Sequence, residues 1–492
     1  MFMRSLSPGY GVALAALLAG CAVGPDFRSP APPATGRYTE ASLPDATGEA
    51  EGVSQRFFQQ QALPQQWWTL FGSSRLDALV AQALAASPTL DEAQARLDQA
   101  AAAYAAQAGT LWPQVDANLA ATREKINTPA PGDPPLRNFG PFTLYHASID
   151  VSYTLDLFGG ERRALESLAA RTDYQRYQLE AARLALAGNV TVSVIREAAL
   201  ADRIALTEAL LAAQRQQLDI TSQQERQGGV SRQDLLGQRT LVMQTEALLP
   251  PLRQQHAALR HQLAVYLGHA PGDGLPPLPR LDELRLPTQL PWRVPAELAR
   301  RRPDIRAAEA LLAGATAEVG VATANLYPRL TLSGSLGTDQ LESSRLLESF
   351  NAWKLGAGLV QPLFHGGALR AQKRGAEAAL RAAEATYRQT VLTGLQQVAD
   401  ALHALHMDAS LLHARANAAD DAVAYRDIAT RRLALGGISR LSVLDAERQT
   451  LQTALDAQAA RADRYADTAA LLQALGGGWI DTDIAPAASA AR

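Results

Sequence analysis

The sequence predicts a mainly α-helical protein with a small amount of membrane-type β-structure, in a protomer built twice to one plan. Three observations predict it. First, "RQGGVSRQDLLGQR" (226–239) and "LALGGISRLSVLDAER" (433–448) each set Gly-Gly, an aliphatic residue and Ser-Arg inside a long stretch rich in Ala, Leu, Gln and Arg. Gly228 and Gly436 stand 208 residues apart, and Leu267-Gly268 recurs at the same interval as Leu475-Gly476, which is the signature of an internal duplication. Second, 142–249 and 363–485 contain no proline, although the chain has 27. Third, alternating runs of about ten residues follow Pro113 and Pro328, as strands do.

Composition narrows the classes. Of 492 residues only 19% are charged and 6% aromatic, and much of the 47% apolar content is alanine. That suits long, closely packed helices better than large globular cores. A formal net charge of −3 gives no reason to expect nucleic acid. One cysteine excludes an internal disulfide framework and a multi-Cys metal site.

The chain opens "MFMRSLSPGYGVALAALLAGC". Arg4 provides a positive n-region, Val12 to Ala19 an apolar h-region too short to span a bilayer, and Leu18-Ala19-Gly20 the approach to a cleavage site. An ordinary signal peptide with an incidental Cys21 is one reading. The other is a signal peptide over 1–20 whose Leu-Ala-Gly-Cys resembles a bacterial lipobox, so that Cys21 carries covalent lipid. Several acyl chains on one residue give lasting attachment where one gives little. Ala22, rather than Asp, follows the cysteine and points to the outer membrane. Residues 21–64 are rich in Pro, Ala, Gly and Thr without period, and are expected to form an acylated tether.

A first repeat is expected over 65–270. It begins with a helix, and the period changes after Pro113: Val115, Ala117, Leu119 and Ala121 oppose polar neighbours, as do Tyr145, Ala147, Ile149, Val151, Tyr153 and Leu155. This is a β-hairpin at about 113–156. A Pro-rich linker occupies 271–295. The second repeat, 296–479, matches Pro88 and Pro113 with Pro303 and Pro328, both at an interval of 215. It carries a hairpin at about 328–362, in which Leu330, Leu332 and Leu336 share one strand face and Trp353, Leu355, Ala357 and Leu359 share the next. Residues 480–492 form a C-terminal tail. Strands apolar on one face and small and polar on the other suit a membrane barrel, and equally a soluble sheet with one wet face. Four strands cannot close a barrel, so strands that cross a membrane must pool with those of other chains.

The proline-free spans predict long helices over about 160–227 and 367–435, each a rod of about 100 Å. Leu395, Leu402, Ala409, Ala416 and Val423 recur at sevens, as do Val398, Leu405, Leu412 and Ala419, which predicts a coiled-coil seam. In the first half Ile204, Leu211 and Leu218 are the clearest run. Gly228-Gly229 and Gly436-Gly437 end the long helices, and Ser231 and Ser439 are placed to cap the returning ones.

The chain resembles the outer-membrane efflux channels of the TolC superfamily, in the NodT-like or OprM-like lipoprotein branch. The matching stretches are "CAVGPDFRSP" (21–30), "WWTLFGSSRLDALVAQAL" (67–84), "ARRRPDIRAAEALLAGATAEVGVATANLYPRLTLSGSLG" (299–337), "QPLFHGG" (361–367), "GGISRLSVLDAERQTL" (436–451) and "LLQALGGGW" (471–479). The resemblance implies a homotrimer, with a twelve-stranded β-barrel in the outer membrane continuous with a twelve-helix periplasmic α-barrel. It also implies docking to a periplasmic adaptor (membrane fusion) protein and an inner-membrane resistance-nodulation-division pump. The tips at Gly228, Gly229, Ser231, Gly436, Gly437 and Ser439 are then the adaptor-docking surface, and the duct conducts small molecules passively. "GNVTVSVIREAAL" (188–200) departs from the family, which more often has an aromatic there, and leaves the cargo open. A type I secretion duct and a coiled-coil scaffold lipoprotein are the alternatives.

The two tips differ. At the 208 interval Leu441, Asp445 and Arg448 correspond to Gln233, Gly237 and Thr240. In a trimer the second set would ring one axis as a periplasmic gate; the plainer reading is an Asp445–Arg448 surface pair. Other chemistry is thin. Among His403, His406 and His413 only the first two share a helix face, too few for a metal site. Arg300, Arg301 and Arg302 precede Pro303 and Asp304 and suggest a helix start. No phosphate loop, nucleophile elbow or acid–base pair is present, so no enzyme, metal or cofactor is expected beyond lipid on Cys21.

Overall fold

The computed structural model describes residues 22–40, 44–59, 63–125, 141–292, 294–346, 348, 350 and 352–479. In chain order, β1 (Arg56–Gln59) precedes a short 3-10 turn (Trp67–Phe71), α1 (Ser74–Ala86) and α2 (Pro88–Thr110). Then come β2 (Gln114–Glu124), β3 (Phe142–Leu155), α3 (Gly160–Arg226) and α4 (Arg232–Tyr266). After β4 (Gln289–Trp292) and α5 (Pro295–Arg301) the plan recurs as α6 (Pro303–Ala324), β5 (Arg329–Gln340), β6 (Ala352–Val360), α7 (Ala368–Ala434) and α8 (Arg440–Ala474). The long helices α3 and α7 have 67 residues each, and the returning α4 and α8 have 35 each.

The chain divides into two compact units. The first takes its described residues from Met1–Ser29, Arg96–Gln175 and Ala308–Tyr387 and contains a four-stranded antiparallel sheet in the order β2-β3-β5-β6. Its register puts Val115 beside Val151, Ile149 beside Leu336, and Leu336 beside Trp353. One face is thereby apolar across all four strands, because side chains at alternate positions share a face. The other face carries rows such as Asp116, Asp150, Ser335 and Lys354. Leu119, Trp353, Leu355 and Leu359 on the apolar face are exposed, the kind of contiguous apolar surface that marks a protein-facing or membrane-facing side.

The second unit takes its described residues from Pro30–Ala95, Arg176–Ala307 and Arg388–Arg492. Trp67, Phe71, Leu76, Leu263, Leu281 and Leu298 are buried there, and β1 pairs in parallel with β4. Residues 44–59 are more than the tether expected: Arg464 of α8, 1% exposed, donates from Nε to Gln55 Oε1 at 3.1 Å and from Nη2 to the Val53 carbonyl at 3.2 Å. Gln55 Nε2 in turn donates to Thr468 Oγ1 at 3.0 Å and the Pro287 carbonyl at 3.1 Å. A buried guanidinium must be satisfied by hydrogen bonds, and a segment without hydrophobic period supplies them.

Pro250 and Pro251 lie inside α4. They remove two backbone donors, yet the helix continues, with Leu249 and Leu252 buried on either side. Ile204, Leu211 and Leu218, the run expected as the seam of α3, pack with Val242 and Leu249 of α4. The seam of α7 holds through Leu402, Leu405, Ala409 and Leu412 and then moves. Val423 is exposed, whereas Ala422 and Ala429 are buried. The buried stripe has thus passed from the repeat position of Val423 to that of Ala422 and Ala429, one residue earlier in the heptad.

Candidate functional site

Three places carry the chemistry that the sequence singles out. The first is the segment following Cys21, which itself lies outside the described residues. The Val23 N–H donates to the Phe158 carbonyl at 3.1 Å, three residues beyond the end of β3. Gly24 has φ +99°, and a Cβ there would stand 3.0 Å from the Gly320 amide nitrogen, so glycine is required both by its backbone and by the close approach of α6. Asp26 accepts from Arg163 Nη2 at 2.6 Å, and Glu166 accepts from its Nη1 at 2.7 Å. The Asp26 hydrogen bond raises the pKa of this guanidinium against its burial. Ser29 Oγ donates to Glu309. The chain just after the cysteine is therefore fixed where the sheet passes into α3.

The second place is the pair of tips. The Gly228 N–H donates to the Glu225 carbonyl at 2.9 Å and the Gly229 N–H to the Gln224 carbonyl at 2.8 Å; Gly436 and Gly437 repeat the pattern on Leu433 and Arg432 at 2.9 and 2.8 Å. These are two Schellman endings, which need a left-handed residue at the first glycine: φ is +75° at Gly228 and +71° at Gly436. Ser231 then caps α4, its Oγ accepting from the Asp234 N–H while Asp234 accepts from the Ser231 N–H. Ser439 caps α8 by accepting from the Ser442 N–H at 3.2 Å. Both glycine pairs are exposed.

The third place is the start of α8. Val443, Ala446 and Ala429 form one buried cluster, and Thr450 Oγ1 donates to the Ala422 carbonyl at 3.0 Å, so this turn is tied to α7. The opposite side holds Leu441, half-buried, and Asp445, exposed. Arg448 Nη2 donates to Asp445 Oδ1 at 2.9 Å; the surface pair is present, and a ring would need further copies. On α4 the corresponding Gln233, Gly237 and Thr240 are exposed and hold no such pair.

The histidines do not converge. His406 is buried against Phe57, with ring centroids 5.7 Å apart, and burial, then His403, lowers its pKa. His403 and His413 are exposed. Arg302 is structural: Nη2 donates to Asp304 and Gln397, each at 2.7 Å, and Nη1 to the Ala474 carbonyl at 3.0 Å, placing a cation on the C-terminal end of α8, where the dipole favours it. Sequence reasoning missed Asp408 of α7, whose carboxyl is pushed up to about 7 by burial and by the adjoining Asp467 of α8. No local motif pairs residues so far apart.

The family model described as "Outer membrane efflux protein" matches residues 79–269 and 294–477. The chain is 33% identical over 425 residues to the pyoverdine export outer membrane protein OpmQ of Pseudomonas putida, covering 85% of this chain and 89% of that one. It is 29% identical over 481 residues to nodulation protein T of Rhizobium leguminosarum bv. viciae, covering 95% and 93%. The solved outer-membrane channel OprN superposes with a TM-score of 0.80 at 31% identity, covering 93% of this chain and all of that one.

Proposed function

We propose a mechanism from one premise, that this chain belongs to the outer membrane efflux protein family and acts as an outer-membrane exit duct. Three protomers pool their four strands each into a closed barrel of twelve, and their long helices into a tunnel of twelve. The observation that carries this reading is the sheet, apolar on one face, polar on the other and open at both β2 and β6. It has lipid-facing and water-facing sides but cannot close alone.

The polar face lines the duct, and cargo moves passively from an inner-membrane pump through a periplasmic adaptor to the exterior. The pump is of the resistance-nodulation-division class, and the adaptor docks on the glycine tips. A relative named for pyoverdine export supports small-molecule cargo. Lipid on Cys21 adds an anchor, and the fixed seat of Val23 to Ser29 supports it, since acyl chains on Cys21, two residues before Val23, would enter the bilayer at the sheet's end. Planar-bilayer recording on the purified protein tests the reading. A low, cation-sensitive conductance is expected; a scaffold lipoprotein would conduct nothing, and an ungated porin would conduct freely.

A further inference from the structure

The chain entering β1 first turns back on itself. Ala46 bridges to Arg56 and Ala50 to Val53, both antiparallel, so 46–56 form a small hairpin. Its base continues into β1, which is paired to β4, and its tip is Glu51-Gly52. A two-residue turn of this kind takes positive φ at both central positions and therefore favours Asn-Gly or Asp-Gly. Here φ is +53° at Glu51 and +75° at Gly52, and among the described residues Glu51 alone reaches positive φ without being glycine. A glutamate strains the backbone there. What its carboxylate reaches explains the choice.

Arg461 of α8 donates to that carboxylate from Nε at 2.9 Å and again from Nη2. Both side chains are half-buried, and two parallel bonds between guanidinium and carboxylate fix direction as well as charge. Beside the pair, Ala50 is 1% exposed and packs with Leu412 of α7 and Ala460 of α8. The hairpin tip thus touches both helices at once, and Arg464 and Thr468 of α8 hold Gln55 behind it.

Between themselves the two helices are less firmly joined at this level. An exposed Arg415–Asp456 pair at 2.8 Å links them, but Asp408 adjoins Asp467, and neighbouring carboxylates repel once ionised. Asp445 lies 16 residues before Arg461 on the same helix, about 24 Å of rod. A tie at Arg461 therefore bears on where the start of α8 rests.

We infer that the hairpin is a latch on the gate: Glu51, by clasping Arg461, holds α8 against α7, and its release frees the Leu441–Asp445 end of α8, so that the duct is less often closed. Glu51 is a positioning residue, acting through α8 and touching no cargo. This inference rests on the duct proposed above and on the gate expected at Leu441, Asp445 and Arg448, and adds what sets the gate's resting position.

The test is planar-bilayer recording on the full-length protein. Glu51→Gly removes the carboxylate but relieves the backbone, so the thermal midpoint should hold. The fraction of time spent at high conductance should rise about threefold, the scale of a half-exposed ion pair. Arg461→Glu should act alike, and Glu51→Arg/Arg461→Glu, which restores the pair with its charges exchanged, should return the value toward that of the parent. Opening without this rescue, or with a fallen midpoint in Glu51→Gly, would make the hairpin a structural support only and overturn the latch. Unchanged conductance in Glu51→Gly beside a raised one in the Leu441→Ala/Asp445→Ala variant overturns the latch and leaves the gate standing. Unchanged conductance in both overturns gate and latch together, and a protein that never conducts overturns the duct with them.

Discussion

Each tip uses its two glycines differently. Gly228 and Gly436 hold the left-handed conformation that ends α3 and α7, and an alanine there costs about 1 kcal/mol in backbone strain. Gly229 and Gly437 have ordinary φ, and a Cβ at Gly437 would lie 3.5 Å from the Arg432 carbonyl oxygen, a normal contact. Substitution at Gly437 therefore separates docking from turn formation. Gly437→Trp is expected to keep the thermal midpoint and oligomeric state while impairing pump-dependent export and adaptor cross-linking; full export with normal cross-linking would remove the docking role. Gly436→Ala should instead lower the midpoint by a few degrees. At the other residue of consequence, Cys21→Ser should abolish incorporation of labelled palmitate yet leave a protein that inserts through its strands, since their apolar face buries far more area than acyl chains do. Palmitate retained in that variant would refute lipidation at Cys21.

Among the elements, α7 and α8 are joined by a contact that titrates. Asp408 has its carboxyl raised to about 7, first by burial and then by Asp467, so between about pH 4 and 7 the folded state binds more protons than the unfolded one. Stability then falls as pH rises through that window and is flat above it. Asp408→Asn should raise the thermal midpoint at pH 8, and the gain should shrink toward zero at pH 4; an equal gain at both pH values would show that the charge is not its source. This pair was illegible in the sequence because its members lie on separate helices at no fixed spacing. What could be read was local. Proline-free spans show where α3 and α7 run, alternation after Pro113 and Pro328 gives β2 and β5, and Gly-Gly followed by Ser gives both endings and both caps. The exit of the α7 seam at Ala422 and Ala429 was hidden, because which residues a drifting helix buries depends on its neighbours. The docking of Gln55 and Val53 onto Arg464 was equally hidden, since polar contacts in aperiodic chain leave no pattern.

For the whole molecule the tips are similar in backbone and different in charge, and the proposed gate turns on that difference. Leu441 and Asp445 lie on the side of α8 turned away from its contact with α7, whereas α4 offers Gln233 and Gly237. Around a threefold axis this would place three leucines and three carboxylates together. Two carboxylates about 6 Å apart at an effective dielectric of about 20 repel by about 3 kcal/mol, so such a ring attracts divalent cations. Arg448 already pairs with Asp445 at 2.9 Å and partly neutralises it, which gives the two residues opposite signs in one experiment. Asp445→Ala, more so with Leu441→Ala, should raise single-channel conductance and weaken block by periplasmic-side divalent cations about tenfold, the equivalent of about 1.4 kcal/mol. Arg448→Ala should strengthen the block by uncovering the carboxylate. Changes at Gln233 or Gly237 should do much less. A Leu441/Asp445 double variant with unaltered conductance and block would place the constriction elsewhere, while a weakened block in both Asp445→Ala and Arg448→Ala would mean that the ion pair holds the turn in shape and the free carboxylate does not bind the ion.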